Sequence, residues 1–370
     1  MVKKKRIGVL TGGGDCAGLN PAIKWVVKTA TDERLEWERG VQYEVIGIRD
    51  GWSGLIYVDP RSPEIKGYVM PLDQDVVRTW DRYGGTFLGT SRTNPYNPKN
   101  DRSQKVLDNI LKLGLDAIVA IGGDDTLSVA CKLSQAGVNV IGIPKTIDKD
   151  LPETEYTLGF ETALNVITEE VDRLRTTAGS HKRIFVVETM GRHAGWLALE
   201  GGEACGAYII LIPECDFSVE RINELVTDGR RGGARYEIII AAEGAKPVGG
   251  AEFVKEAGVD AFGHKMLGGV GEYLADAIQD GTGLECRSVV LSHLQRGGAP
   301  CAFDRRMGRY FGIAAVDLIV AQEFGRMVCY KNGRITACAL EQVIGHPSFV
   351  NTKTQYDTER YNGRRSILNP

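Results

Sequence analysis

The chain has 370 residues, 43% of them hydrophobic and 25% charged, enough to bury a large core and more than one domain usually needs. A formal net charge of -3 supplies no global basic field, which argues against nucleic acid as a partner. Apolar stretches such as Ala207 to Pro213 and Ser288 to Ser292 are too short to span a bilayer, and Met1-Val2-Lys3-Lys4-Lys5-Arg6 leads straight into a strand; no membrane partner and a cytoplasmic location are therefore expected.

Apolar runs bounded by Gly, Pro or Asp predict buried strands at residues 6 to 10, 43 to 48, 116 to 121, 138 to 143, 183 to 188, 208 to 212, 236 to 242 and 287 to 292. Between them, helical spacing predicts helices over Asn20 to Ala30, Thr126 to Ala136, Phe160 to Ala178, Val219 to Gly229 and His264 to Asp280. This alternation implies an α/β fold: two Rossmann-like domains with largely parallel sheets sandwiched by helices and an active site in the cleft between them. The strands are too many for one open sheet, so the chain divides near residue 160. Residues 1–160, joined by about 295–345, form one expected domain and residues 161–294 the other. Residues 346–370 read as a C-terminal surface arm, since the polar tail from Asn351 to Pro370 lacks a clear apolar period.

The strand tips carry the chemistry. Thr11-Gly12-Gly13-Gly14-Asp15 follows the first strand with bare glycines that admit a phosphate, although such turns are more often only tight turns. It lacks the Walker lysine pattern, and Asp50 sits too late for a dinucleotide-binding acid, which disfavours a dehydrogenase. Gly84-Gly85-Thr86-Phe87-Leu88-Gly89-Thr90-Ser91-Arg92 adds an arginine. Ile121-Gly122-Gly123-Asp124-Asp125-Thr126 turns a strand into a helix with backbone N–H groups and a metal-binding carboxylate together, a place for phosphate and magnesium. Pro144-Lys145-Thr146-Ile147-Asp148-Lys149-Asp150 supplies a base, a metal carboxylate and a cation; taken alone, its acids read rather as helix or turn caps. Met190-Gly191-Arg192-His193-Ala194-Gly195-Trp196 and His293-Leu294-Gln295-Arg296-Gly297-Gly298 repeat the pattern with guanidinium groups suited to oxyanions. Eight cysteines without CxxC spacing and five dispersed histidines build no transition-metal site, so any metal is expected to be oxygen-bound and the cysteines reduced.

In this order, GGGD, GGTFLGTSR, GGDDT, PKTIDKD, MGRHAGW and HLQRGG resemble the 6-phosphofructokinases, over roughly residues 6 to 325. The resemblance implies a magnesium-dependent phosphotransferase acting on the 1-hydroxyl of fructose 6-phosphate. It implies Asp148 as general base, with Thr146 and Asp150 beside it, and Asp124 as the magnesium carboxylate. Met190, Gly191 and Arg192 match the sugar-binding turn, Glu243 a sugar-hydroxyl acceptor, and His293 and Arg296 the holders of the sugar 6-phosphate. Arg183 and Arg287 complete that pocket and, in the family, come from a neighbouring subunit, so a homodimer or homotetramer with shared active sites is implied. Gly13, Gly14, Arg92, Gly123, Asp125 and Thr126 match the phosphoryl-donor side.

Two positions bear on the donor. Relatives resembling the bacterial ATP-using enzyme have glycine where Asp125 and Lys145 stand here. A carboxylate at Asp125 would repel the α-phosphate of ATP, and Lys145 would neutralise a shorter donor, so pyrophosphate is the preferred donor and ATP the alternative. The family usually has asparagine at Lys149. A cation there either tunes the neighbouring acids or points to solvent, and Lys149→Asn is expected to preserve activity. A noncatalytic sugar-phosphate sensor is a third reading, disfavoured by intact Asp124, Asp148 and Arg192.

Overall fold

The computed structural model describes residues 3–33, 40–59, 61–62, 65, 67–259, 262–263 and 265–368. Its strands are β1 (Lys3–Thr11), β2 (Val41–Ile48), β3 (Val69–Leu72), β4 (Ala117–Gly122), β5 (Val140–Pro144), β6 (Ile184–Thr189), β7 (Ile209–Leu211) and β8 (Glu237–Ala242). They continue with β9 (Val254–Val259), β10 (Lys265–Leu267), β11 (Cys286–Val290), β12 (Arg326–Lys331), β13 (Arg334–Ala339), β14 (Tyr356–Asp357) and β15 (Asn362–Gly363).

β4, β5, β6 and β8 are buried along their whole lengths, as strands covered by helices on both faces must be. They belong to two sheets, one ordered β13-β12-β5-β4-β1-β2-β3 and the other β11-β6-β8-β7. In the first, only the outer pairs β2/β3 and β12/β13 are antiparallel. The second is parallel throughout.

The order of the first sheet reverses between β1 and β4, the position where open α/β sheets leave a crevice at their carboxyl ends. Their register sets Thr11 opposite Ile121, so the glycine turns that follow lie side by side. In the second sheet the turns after β6, β8 and β11 carry Met190–Gly195, Glu243 and the 3-10 turn Ser292–Arg296.

Several elements differ from the sequence expectation. The expected helix from Thr126 begins at Asp124, which places both acids in its first turn and makes Gly123 the N-cap. The helix expected from His264 begins at Val270: His264 lies outside the described residues, β10 pairs with β9, and Gly268 and Gly269 take positive φ at the junction. Ser103–Lys112, Trp196–Ala204 and Ala302–Val320 form further helices. The last of these packs against Leu19–Ala30, with Gly308 and Gly312 meeting the Pro21 and Ala22 backbone closely; glycines that permit this contact also weaken the helical signal in the sequence. Its buried Asp304 accepts hydrogen bonds from the Gly159 and Thr162 N–H groups at 2.6 and 2.8 Å, satisfying the N-terminus of helix Phe160–His181.

The segment after residue 346 is not a surface arm. Val350, Tyr356 and Tyr361 are buried, and the outer strand of the second sheet bonds to them: Ile210 N–H donates to the Tyr361 carbonyl at 2.7 Å and the Tyr356 hydroxyl donates to the Ile210 carbonyl at 2.5 Å. The segment covers a sheet edge, a role that needs a few well-placed side chains and no apolar period.

Candidate active site

One cleft gathers the tips of both sheets. It is lined by Gly13, Gly14 and Arg92; by Gly123, Asp124, Asp125 and Thr126; by Lys145, Thr146, Asp148 and Asp150; and by Arg192 and Arg296. Local structure explains each contribution. Gly13 takes φ 77° while its N–H donates to the Ser91 carbonyl at 3.1 Å and its carbonyl accepts from the Thr90 hydroxyl at 2.6 Å, which docks the Arg92 loop on the glycine turn. Beside it, a Cβ on Gly122 would come 2.3 Å from the Thr126 Cβ, so only glycine lets the strand end meet the helix. The open N-terminus of that helix presents backbone N–H groups to the cleft.

The acid loop is held from within. The Thr146 hydroxyl accepts the Asp148 N–H at 3.1 Å, and the Thr157 hydroxyl donates to the Thr146 carbonyl at 2.7 Å. Asp148 is 5% exposed, and its Oδ1 is buried without a hydrogen-bond partner among the described residues. A buried carboxylate oxygen left unpaired is costly, which marks it for a ligand. Burial, then repulsion from Asp148, raises the Asp150 carboxyl to about 7, with Arg192 opposing and Asp124 adding to the rise. Lys145 is buried and donates to the Gly14 carbonyl; burial lowers its ammonium to about 8.

Arg192 sits in the left-handed region at φ 53°, after Gly191 at φ 135°. Its N–H donates to Glu243 Oε1 at 3.1 Å, and a Cβ on Gly244 would come 2.1 Å from its carbonyl oxygen, so the two turns lock together. Strained backbone at a cleft wall points to function. Burial, then Asp148, raises Glu243 to about 7.

Not every expected residue reaches the cleft. Glu243, Met190 and Gly191 are outside the lining, although Glu243 accepts the Arg192 N–H. His293 is exposed and paired with Ser292 at 3.1 Å. Arg183 and Arg287 both bind Glu285 at 2.7 Å, at the amino ends of β6 and β11, and neither lines the cleft. Arg296, expected on a sugar phosphate, lies instead against the donor-side glycines: it donates to the Asp15 carbonyl at 3.1 Å, and a Cβ on Gly14 would come 2.6 Å from its Nη1. The 3-10 turn carries it to the cleft floor, where bare backbone leaves room for a guanidinium.

The lining also includes residues that sequence reasoning missed: Pro152, His193, Ala194, Val343, Pro347 and Phe349. His193 adjoins the Arg192 motif and pairs with Glu252 at 3.1 Å, so its place was available from the motif. Nothing local signals Val343, Pro347 and Phe349. The Gly345 N–H reaches Asp124 Oδ1 at 3.4 Å and the Ser348 N–H reaches the Asp150 carbonyl at 2.7 Å, which draws this segment across the cleft.

Among the described residues no group of three or more His, Cys, Asp or Glu side chains encloses a metal ion. What converges is a sparse oxygen set, Asp124, Asp148 and Asp150, with the Asp148 Oδ1 buried and unpaired. Such a set fits magnesium, which keeps several waters and shares phosphate oxygens. No described helix is long and apolar enough to cross a membrane.

Comparison with known proteins agrees. The family model described as Phosphofructokinase matches residues 6–319. A "Pyrophosphate--fructose 6-phosphate 1-phosphotransferase" of Amycolatopsis methanolica is 46% identical over 359 residues, covering 97% of this chain and 100% of the relative. An "ATP-dependent 6-phosphofructokinase 3" of Streptomyces coelicolor (strain ATCC BAA-471 / A3(2) / M145) is 42% identical, covering 92% and 94%. The crystal structure of a pyrophosphate-dependent phosphofructokinase from Marinobacter aquaeolei superposes with a TM-score of 0.81 at 22% identity, covering 98% of this chain and 89% of that one, a likeness of fold. The chain belongs to the phosphofructokinase family.

Proposed function

We propose that this chain transfers a phosphoryl group from pyrophosphate to the 1-hydroxyl of fructose 6-phosphate, giving fructose 1,6-bisphosphate and phosphate. The observation that carries the reading is the meeting of Asp124, Asp125 and Lys145 with the unpaired Oδ1 of Asp148 in one cleft. Asp148 takes the proton of the sugar hydroxyl as its oxygen attacks phosphorus and the bond to the leaving phosphate breaks. Gly13, Gly14, Gly123 and Thr126 cradle the donor, and Lys145, Arg92 and Arg296 neutralise it. Arg192 aligns the sugar, with Glu243 fixing its turn. Asp124 would hold magnesium together with donor oxygens, and the ion supplies charge neutralisation during transfer.

The sugar 6-phosphate is held by His293 and by Arg183 and Arg287 of a neighbouring copy, in a homodimer or homotetramer. Arg287 lies on the edge strand β11 and Arg183 just before its inner neighbour β6, near enough to the sheet edge for a second copy to use both. Arg296 reaches this phosphate only by leaving the Asp15 carbonyl.

Donor choice rests on Asp125, which occupies the first turn of the helix and faces the cleft. The apolar wall of Val343, Pro347 and Phe349 favours a second reading, ATP with its adenosine against that wall. Steady-state kinetics with fructose 6-phosphate and magnesium, comparing pyrophosphate with ATP in wild type and Asp125→Gly, separates them. The expected result is a strong pyrophosphate preference that Asp125→Gly weakens. A wild type that prefers ATP, with a mutant that behaves identically, overturns the donor assignment.

A further inference from the structure

Lys149 separates the two acids of the catalytic loop, and the chemistry above does not use it. Its backbone is left-handed, φ 55°, a conformation that a residue with a Cβ adopts only when its surroundings enforce it. Its side chain points neither to solvent nor to the acids. The ammonium lies 2.6 Å from Glu200 Oε1, 4.8 Å from the Phe160 ring centroid and 5.3 Å from that of Trp196.

Glu200 and Trp196 stand four residues apart on one face of helix Trp196–Ala204, which follows directly from the Arg192 turn. The other side of Trp196 closes a ring. Its Nε1 donates to the Ser348 carbonyl at 3.1 Å, and the Ser348 N–H donates to the carbonyl of Asp150, the residue next to Lys149, at 2.7 Å. The catalytic loop is thus tied twice to one tryptophan, once through the Lys149 cation and once through the 343–350 segment. Lys149 is a poor candidate for direct tuning of the neighbouring acids, because its ammonium is paired with Glu200 and stacked on two rings.

We propose that Lys149 is a positioning residue, a clamp that fastens the loop bearing Asp148 to the helix following the Arg192 turn, so that base and sugar-aligning arginine keep one spacing. The proposal rests on the roles given above to Asp148 and Arg192. It reverses the sequence-based expectation that Lys149→Asn preserves activity. Misplacing a base relative to its substrate lowers turnover more than binding, because alignment matters most in the transition state.

The test compares Lys149→Met, which keeps the stem and removes the charge, with Lys149→Arg, which restores charge and stacking, and Trp196→Phe, which keeps a ring and removes the donor. Lys149→Met is expected to lower kcat by about tenfold or more while both KM values stay within about threefold, and Lys149→Arg to recover most of the loss. The apparent pKa values of the pH–rate profile should stay in place. Hydrogen exchange in ligand-free protein should accelerate in peptides covering 146–151 and 343–350 for Lys149→Met and, in the second peptide, for Trp196→Phe. Turnover of Lys149→Met within about twofold of wild type overturns the clamp, as do unchanged exchange or a displaced pH profile, which would make the charge a direct partner of the base. If wild type turns over with neither donor, the proposed function fails, while the exchange comparison still decides the clamp.

Discussion

The two walls of the cleft are built to different degrees. On the side of the first sheet, glycine turns, acid loop and helix N-terminus are cross-bonded within one chain, with Thr126, Lys145 and Asp148 buried and Lys145 in contact with the Gly14 carbonyl. On the side of the second sheet, Arg192 and Glu243 are locked together, but His293 is exposed and Arg183 and Arg287 are engaged by Glu285 outside the cleft. The difference teaches that a small polyanionic donor can meet a preformed site, whereas the groups expected on the sugar phosphate are not gathered in the cleft of this chain. Preorganisation is therefore concentrated where charge moves during transfer.

The sharpest attack on the preformed wall is Asp148→Asn. It should lower kcat on the order of a thousandfold with the circular dichroism spectrum unchanged, since a general base typically contributes that much. A loss smaller than about tenfold would take the base out of the mechanism.

The unfinished wall is tested by Arg183→Ala with Arg287→Ala. The double variant should raise KM for fructose 6-phosphate about tenfold or more and leave KM for the donor nearly unchanged. Mixed and reassembled with Asp148→Asn chains, it should regain about a quarter of wild-type activity, because half of randomly paired dimers are mixed and each mixed dimer has one complete site. Absence of recovery after verified subunit exchange argues that each chain supplies its own arginines.

A smaller effect distinguishes the walls by pH. Asp150 and Glu243 are each raised to about 7 by burial first. A carboxyl raised on folding retains its proton where the unfolded chain has released it, so its contribution is full below the ordinary carboxylate range and is lost as pH rises through about 7. The melting temperature of ligand-free protein should accordingly fall between about pH 5 and pH 8. Asp150→Asn removes one share of that fall, so its melting temperature relative to wild type should rise by about 2 °C or more across the interval. A parallel pair of curves would show that Asp150 is not protonated in the fold.

Much of the donor wall was legible because its signals are local. The apolar runs ending in Gly12-Gly13-Gly14 and Gly122-Gly123-Asp124 announce both strand and turn, and a switch in strand order needs only that these turns be neighbours. The sugar wall was legible as motifs but not as positions. Arg296 belongs to a clear motif, yet whether its guanidinium turns to a sugar phosphate or to Gly14 depends on which backbone is bare enough to receive it. Helix Ala302–Val320 was hidden for a related reason, since Gly308 and Gly312 lower helical propensity and make sense only against Leu19–Ala30.

By itself the sequence determined the alternating fold, the chemistry at the strand tips and the family, because periodicity and strand-end composition are properties of short stretches of chain. Only the tertiary structure decided that residues 343–350 cross the cleft, that Lys149 turns from the acids toward Trp196 and Glu200, and that Arg183 and Arg287 stand outside. Each of those outcomes depends on partners distant in the chain, and such contacts are chosen by packing and charge after the local elements have formed.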